Sequence, residues 1–356
     1  MIKVTQTFLP DISTYNAYLE GIWKRNHLTN HGPLVLELET TLKKHLGVKH
    51  LFLVNNGTIA IQIALKAVAA SGDIITTPFS YVATTSSILW EGMTPVFADI
   101  DEESLCIDPK KVEELAKKGA KTLLATHVYG NPCDVEELDR IAKKYGIKII
   151  YDAAHAFDVN YKDTSVLNYG DISTLSFHAT KLFHTIEGGA IITNDDELAH
   201  KIAYMRNFGH NGPEQFFGVG INGKVSEFNA AMGLSVLPHV PSIIEARKKI
   251  CSLYNKIFKG SLISSLAIKA HITYNFAYYP VFFNTEDELL IAVEKLNNAA
   301  IFPRRYFYPA LNTLHFVQYQ PCPVAESIAK RVLCLPLYFD LKEEEVKLIG
   351  NIILND

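Results

Sequence analysis

Lys148-Ile149-Ile150-Tyr151-Asp152-Ala153-Ala154-His155 is the stretch on which the fold turns. An apolar run of strand length, Lys148–Tyr151, ends abruptly in a carboxylate, two small residues and a histidine. Further along, Ile172–Phe177 is another such run, closed by His178-Ala179-Thr180-Lys181. Moving outward, similar short runs lie at His50–Val54, Asp73–Thr77, Pro95–Ile100, Thr122–Thr126 and Gly189–Thr193. Between them the spacing predicts helices over Thr58–Ala70, Pro109–Lys118, Val135–Tyr145 and Asp196–Arg206. Strand–helix–strand alternation at this spacing reads as right-handed βαβ units on a mostly parallel sheet, an α/β architecture. A long charged helix begins near Val240–Lys256, and beyond it the strand rhythm weakens. A large domain over residues 1–240 and a smaller C-terminal α+β domain over 241–356 are expected. The first thirty or so residues carry no strong pattern and are expected to pack, as an arm, across a neighbouring surface.

Composition narrows the class. Of the 356 residues 48% are hydrophobic and 20% charged, ordinary for a globular enzyme with a large core. The formal net charge is −4 and basic residues form no long runs, so no nucleic-acid or anionic-membrane partner is expected. No stretch approaches the ~20 uninterrupted apolar residues of a membrane helix, and the opening residues lack the pattern of a signal peptide. Cys106, Cys133, Cys251, Cys322 and Cys334 are scattered, odd in number and never in a CxxC pair. Neither a disulfide framework nor a metal site is expected, and the expected location is cytoplasmic.

Parallel sheets place ligands beyond the carboxyl ends of their strands, so the residues after each run are the candidates. Asn55-Asn56-Gly57-Thr58 opens straight into a helix. Glycine admits close approach of an anion and the helix start offers free N–H donors, which suits a phosphate; alternatively it is a plain turn with Thr58 as N-cap. Asp152 can hold a protonated ring nitrogen, as a pyridoxal phosphate (PLP) site requires, or it can cap the next helix; His155 lies close to it. Lys181 follows a strand and has small or apolar neighbours, which suits a desolvated, nucleophilic amine rather than a solvated one. In Phe79–Thr84 an aromatic ring can stack on a flat cofactor or simply fill core. Gly220-Ile221-Asn222-Gly223 is a turn whose Asn222 is able to reach a phosphate.

In order and spacing these segments resemble the DegT/DnrJ/EryC1/StrS family of sugar-nucleotide aminotransferases, within the fold-type I PLP enzymes. The likeness includes Leu28-Thr29-Asn30-His31-Gly32-Pro33, Asn56-Gly57-Thr58, Pro78 to Thr84 and His127-Val128-Tyr129-Gly130. It continues through Asp152-Ala153-Ala154-His155, Ser176 to Lys181, Glu187-Gly188-Gly189, Ser226-Glu227-Phe228 and Arg305-Tyr306-Phe307-Tyr308-Pro309. The resemblance implies that Lys181 binds PLP covalently and is the catalytic lysine, and that Asp152 pairs with the pyridine nitrogen. It further implies that His155 faces the ring hydroxyl, that Tyr81 stacks on the ring, and that Gly57, Thr58 and Ser176 hold the phosphate. The resemblance implies, too, that Asn222 completes the phosphate cup from the neighbouring subunit, which makes the expected unit a homodimer with shared sites. This chain has Gly223-Lys224 where the family commonly has Tyr-Arg, and Tyr81 where phenylalanine is more usual.

By the same resemblance the expected reaction is ping-pong. L-glutamate leaves its nitrogen as pyridoxamine phosphate, and a keto-sugar nucleotide then takes it up. Ser176-Phe177-His178 before Lys181, with Glu187-Gly188-Gly189 after it, matches relatives that aminate C4 of a 4-keto-6-deoxy sugar. The expected conversion is dTDP-4-keto-6-deoxy-D-glucose to dTDP-4-amino-4,6-dideoxy-D-glucose, as in enzymes supplying surface polysaccharides such as the lipopolysaccharide O-antigen. Amination at C3, or of a UDP-linked keto-sugar at C4, is the alternative. Arg304, Arg305 and Tyr306 are expected near the nucleotide.

Overall fold

All seven apolar runs become strands of one sheet in the computed structural model, which describes residues 1–355. They are β1 (His50–Val54), β2 (Asp73–Thr76), β3 (Thr94–Phe97), β4 (Thr122–Thr126), β5 (Lys148–Asp152), β6 (Ile172–Ser176) and β7 (Gly189–Thr193), in the order β1-β7-β6-β5-β4-β2-β3. Every pairing is parallel except those of β7, which runs antiparallel to both β1 and β6. The reason is the connection: residues 177–188 between β6 and β7 contain no crossover helix, so the chain turns back on itself.

Side chains alternate between the two faces of each strand, and both faces are covered. In β5, Ile149 and Tyr151 join one core while Ile150 joins the other. The second of these faces is covered by α3 (Gly57–Ala67), α4 (Ala83–Trp90) and α7 (Asp196–Met205), through Ile61, Ile88, Leu198 and Ile202. The first is covered by α2 (Pro33–Leu46), α5 (Pro109–Lys117), α6 (Val135–Tyr145) and α8 (Glu227–Val236), through Leu38, Val112, Ile141 and Ala231. Burial on both faces explains why these strands read as unbroken apolar runs.

The first thirty residues depart from expectation, because they contain a regular helix, α1 (Ile12–Arg25). Asp11 starts it by accepting from the Ser13 N–H (2.7 Å). Of its residues only Ile22 is fully buried, so its apolar periodicity is weak in sequence. The α3 start also differs: Asn56, not Thr58, is the N-cap, its Oδ1 accepting from the Ile59 N–H at 2.8 Å.

Beyond these, α9 (Val240–Phe258) bridges two cores. Val240 and Ile243 pack into the sheet's core, and Ile250, Tyr254 and Phe258 into a separate one. That second core forms around the antiparallel strands β8 (Ser264–Ser265), β9 (Pro280–Phe282) and β10 (Val332–Cys334), flanked by α10 (Glu286–Asn298) and α11 (Glu343–Leu354). We keep the division between residues 240 and 241 as a proposal resting on these two cores. Segments cross it in both directions. Ile2–Lys3 pairs with Ile301–Phe302, while Phe307, Ala310 and Ile328 pack against the sheet's core.

Candidate active site

The carboxyl ends of β1, β5 and β6 converge. At β1 the turn Asn55-Asn56 leads into α3, and the first-turn N–H groups of Gly57 and Thr58 have no acceptor within the helix. Gly57 lies so close to the end of β6 that a Cβ there would stand 2.9 Å from the Cβ of Ser176. The helix start and the Ser176 hydroxyl therefore form one cradle of amide and hydroxyl donors at the positive end of a helix dipole, a site suited to an anion.

Asp152 ends β5 and is 7% exposed. Its Oδ1 accepts from the Ala154 N–H (3.1 Å) and its Oδ2 from the hydroxyl of Thr84 in α4 (3.1 Å). Behind Thr84 runs a chain of hydroxyls, with Ser80 Oγ 2.8 Å from Thr84 and accepting from Thr126 at 3.1 Å. Burial pushes the Asp152 carboxyl up; the Ala154 amide, Lys181 and Thr84 oppose this but only in part. His155 accepts at Nδ1 from the Tyr129 N–H (3.2 Å), which leaves its proton on Nε2. Burial, with the nearby Lys181 and His127, holds it well below the usual imidazole range, so it is a neutral donor at Nε2.

Lys181 stands in the turn after β6, its N–H bonded to the His178 carbonyl (2.8 Å). This tight loop requires Gly188, where a Cβ would fall 2.0 Å from Thr185 Oγ1. Burial lowers the Lys181 ammonium to about 8, although Asp152 and Tyr81 pull it upward. An amine with that value is both nucleophile and proton carrier near neutral pH. Its Nζ reaches the hydroxyl of Tyr278 at 3.4 Å.

Two expected residues are exposed rather than enclosed. The Tyr81 ring is 60% exposed rather than packed in core, close enough for its charge to act on Lys181. Asn222 is exposed on its own chain, where its carbonyl accepts from the Asn55 side chain (3.4 Å). The two histidines of the lysine loop divide. His178 is exposed, beside Thr180 and Glu187, whereas His184 is buried with its Nε2 2.7 Å from the Phe8 carbonyl. Of the C-terminal residues expected near a nucleotide, Tyr306 lines the Lys181 cavity, and Arg305 is tied to Glu286 (2.6 Å).

Several cavity residues carried no signal in the sequence. Val4, Thr5, Asn275 and Tyr278 line the space around Lys181, and Thr84 holds Asp152. Thr84 alone was within reach, as a hydroxyl in the aromatic segment after β2.

The described residues thus bring together an enclosed lysine, a buried carboxylate, a neutral histidine and an anion cradle. The model of the DegT/DnrJ/EryC1/StrS aminotransferase family matches residues 11–354. Two curated relatives, the dTDP-4-amino-4,6-dideoxy-D-glucose transaminases of Shigella dysenteriae and Escherichia coli, are 42% and 41% identical; each match covers 99% of this chain and 98% of the relative. Among solved structures, DesI in the presence of its TDP-sugar product aligns with a TM-score of 0.93 at 29% identity, covering 99% of this chain and 92% of DesI.

Proposed function

Because the chain belongs to the DegT/DnrJ/EryC1/StrS aminotransferase family, we propose that it moves the amino group of L-glutamate to C4 of dTDP-4-keto-6-deoxy-D-glucose, with PLP as cofactor. The product is dTDP-4-amino-4,6-dideoxy-D-glucose, a precursor for surface polysaccharide such as O-antigen. The observation that carries this choice of sugar is the identity, over nearly the whole chain, to two transaminases named for that compound.

The donor set fits PLP. Asp152, a buried carboxylate pushed upward by desolvation, suits a cationic ring nitrogen. The α3 cradle of Gly57, Thr58 and Ser176 suits the phosphate, His155 Nε2–H suits the ring oxygen, and Tyr81 is free to cover the ring. Lys181 would hold the aldehyde carbon. When bound, the cofactor supplies an electron sink that stabilises negative charge on the carbon losing its proton. The chain's own residues do the rest. Asp152 keeps the ring nitrogen protonated, with Thr84 and Ala154 fixing its orientation. The freed Lys181 amine takes the proton from Cα of glutamate, and in the second half-reaction it delivers one to C4 of the sugar. An amine value near 8 makes both its forms accessible for those transfers.

The active unit is a homodimer in which Asn222 of the partner subunit completes the phosphate end. Exposure of Asn222 on its own chain supports this. So does the apolar surface beside it, where Phe208, Phe216, Phe217, Val219 and Ile221 are all exposed. The compartment is the cytoplasm, a reading supported by five cysteines that are all free thiols.

An absorbance titration tests the proposal. Purified protein with PLP should show a yellow band that glutamate bleaches and the keto-sugar restores. Lys181→Ala should abolish both changes. If glutamate bleaches the band but only another keto-sugar restores it, the sugar is wrong and the aminotransferase stands.

A further inference from the structure

We propose that Tyr278 is a positioning residue for the Lys181 amine: its hydroxyl, 3.4 Å from Nζ, holds that amine whenever it is free, in both its charged and neutral forms. The inference rests on the reading of Lys181 as the cofactor lysine and deepens it.

Lysine is a long, flexible side chain, and a free amine placed loosely loses rate, because proton transfer demands hydrogen-bond reach and alignment. Tyr278 is the group fit to constrain it. The ring comes from the stretch leading into β9, lines the same cavity as the lysine loop, and is locked on several sides. It stands edge-on to His155 (4.9 Å, 70°) and to Tyr306 (5.8 Å, 88°), and is tilted on Tyr129 (5.5 Å, 51°). Such contacts fix the plane of a ring and hence the position of its hydroxyl. Burial and the nearby Cys334 and Asp152 push the Tyr278 phenol up, with Arg247 opposing, so it keeps its proton throughout the working range. A neutral phenol can accept from the ammonium and donate to the amine. Asp152 and Tyr81 act on Nζ through their charge without a hydrogen bond to it, and the Asp152 carboxylate instead receives Ala154 and Thr84. Among these groups Tyr278 alone is hydrogen-bonded to the amine.

The bond to the charged form is the stronger of the two. Loss of the hydroxyl therefore favours the neutral amine. The test is Tyr278→Phe in the full-length chain, compared with wild type, with and without PLP. In cofactor-free protein, the pH dependence of Lys181 labelling by trinitrobenzenesulfonate, located by peptide mass, reads the amine directly. The wild-type midpoint is expected at about 8, and the Tyr278→Phe midpoint about half a pH unit lower or more. With PLP, the variant should retain the yellow band, and kcat should fall about tenfold while KM for the keto-sugar stays within about twofold. An unshifted midpoint with unchanged kcat overturns the proposal. So does a raised KM with kcat kept, which assigns the hydroxyl to substrate. Should the phenylalanine variant fail to fold, 3,5-difluorotyrosine at 278 keeps the shape and acidifies the phenol. As a weaker acceptor it holds the ammonium less well, so the labelling midpoint should then fall, and an unmoved midpoint again overturns the proposal. If wild type forms no band with PLP, the cofactor reading fails on its own, while the labelling midpoints still judge Tyr278.

Discussion

Asp152 holds a carboxylate where water scarcely reaches, and without a cation in front of it that charge is a liability. Its folded-state pKa is raised, so the folded protein binds this proton more tightly than the unfolded chain does. Stability contributed by the group is present below the unfolded value, near ~3.9, and falls as pH rises through the raised folded value. At neutral pH, then, Asp152→Asn should make cofactor-free protein more heat-stable, by about 2 °C. The gain should vanish below pH ~4, where both states are protonated. With PLP bound the order should reverse, and kcat should drop about a hundredfold or more, since an amide cannot keep the ring nitrogen charged. Paired melting curves with and without PLP check the sign. A destabilised cofactor-free variant at neutral pH would mean that Asp152 is structural.

The anion cradle belongs to α3 as an element. Asn56 caps the helix and Gly57 lets its first turn lie against the end of β6, and the two can be separated by mutation. Asn56→Ala removes the bond to the Ile59 N–H and should cost about 1 kcal/mol of stability. Gly57→Ala puts a methyl 2.9 Å from Ser176 Cβ, which must push the helix start away. It should weaken PLP binding about tenfold while changing the melting temperature little. Titration of PLP against each variant distinguishes cap from cradle. Elements of this kind were legible in the sequence, because strands buried on both faces are unbroken apolar runs and their ends carry the odd polar residues. Three runs read one to three residues long at their ends: Asp73–Thr77 closes at Thr76, Ile172–Phe177 at Ser176, and Pro95–Ile100 at Phe97. Burial persists there after the ladder has ended. The direction of β7 was not legible, since antiparallel pairing depends on what the lysine loop does in space. Nor was α1, which buries fully only Ile22. Tyr278 stayed silent for a different reason: it lies 97 positions from Lys181, and beside Tyr279 it reads as an ordinary aromatic strand start.

At the scale of the whole molecule, one chain supplies Lys181, Asp152, His155 and the α3 cradle, but displays Asn222 outward beside an apolar surface. A closed twofold arrangement gives each subunit the same patch, so whatever one chain lends it also receives. Shared sites make a prediction that separate sites cannot meet. Lys181→Ala should be inactive because it lacks the amine, and Asn222→Asp should be severely impaired because it puts a negative charge against a phosphate. Mixed in equal amounts and allowed to exchange, half of the dimers become heterodimers. In each of these, one site carries both defects, while the other combines an intact Lys181 with an intact Asn222. Activity should therefore return to about a quarter of the wild-type level. If Asn222 served only its own chain, every site in the heterodimer would retain one defect, and mixing would restore nothing. The recovered activity thus reports which subunit's Asn222 serves each site, independently of the sugar on which it is measured.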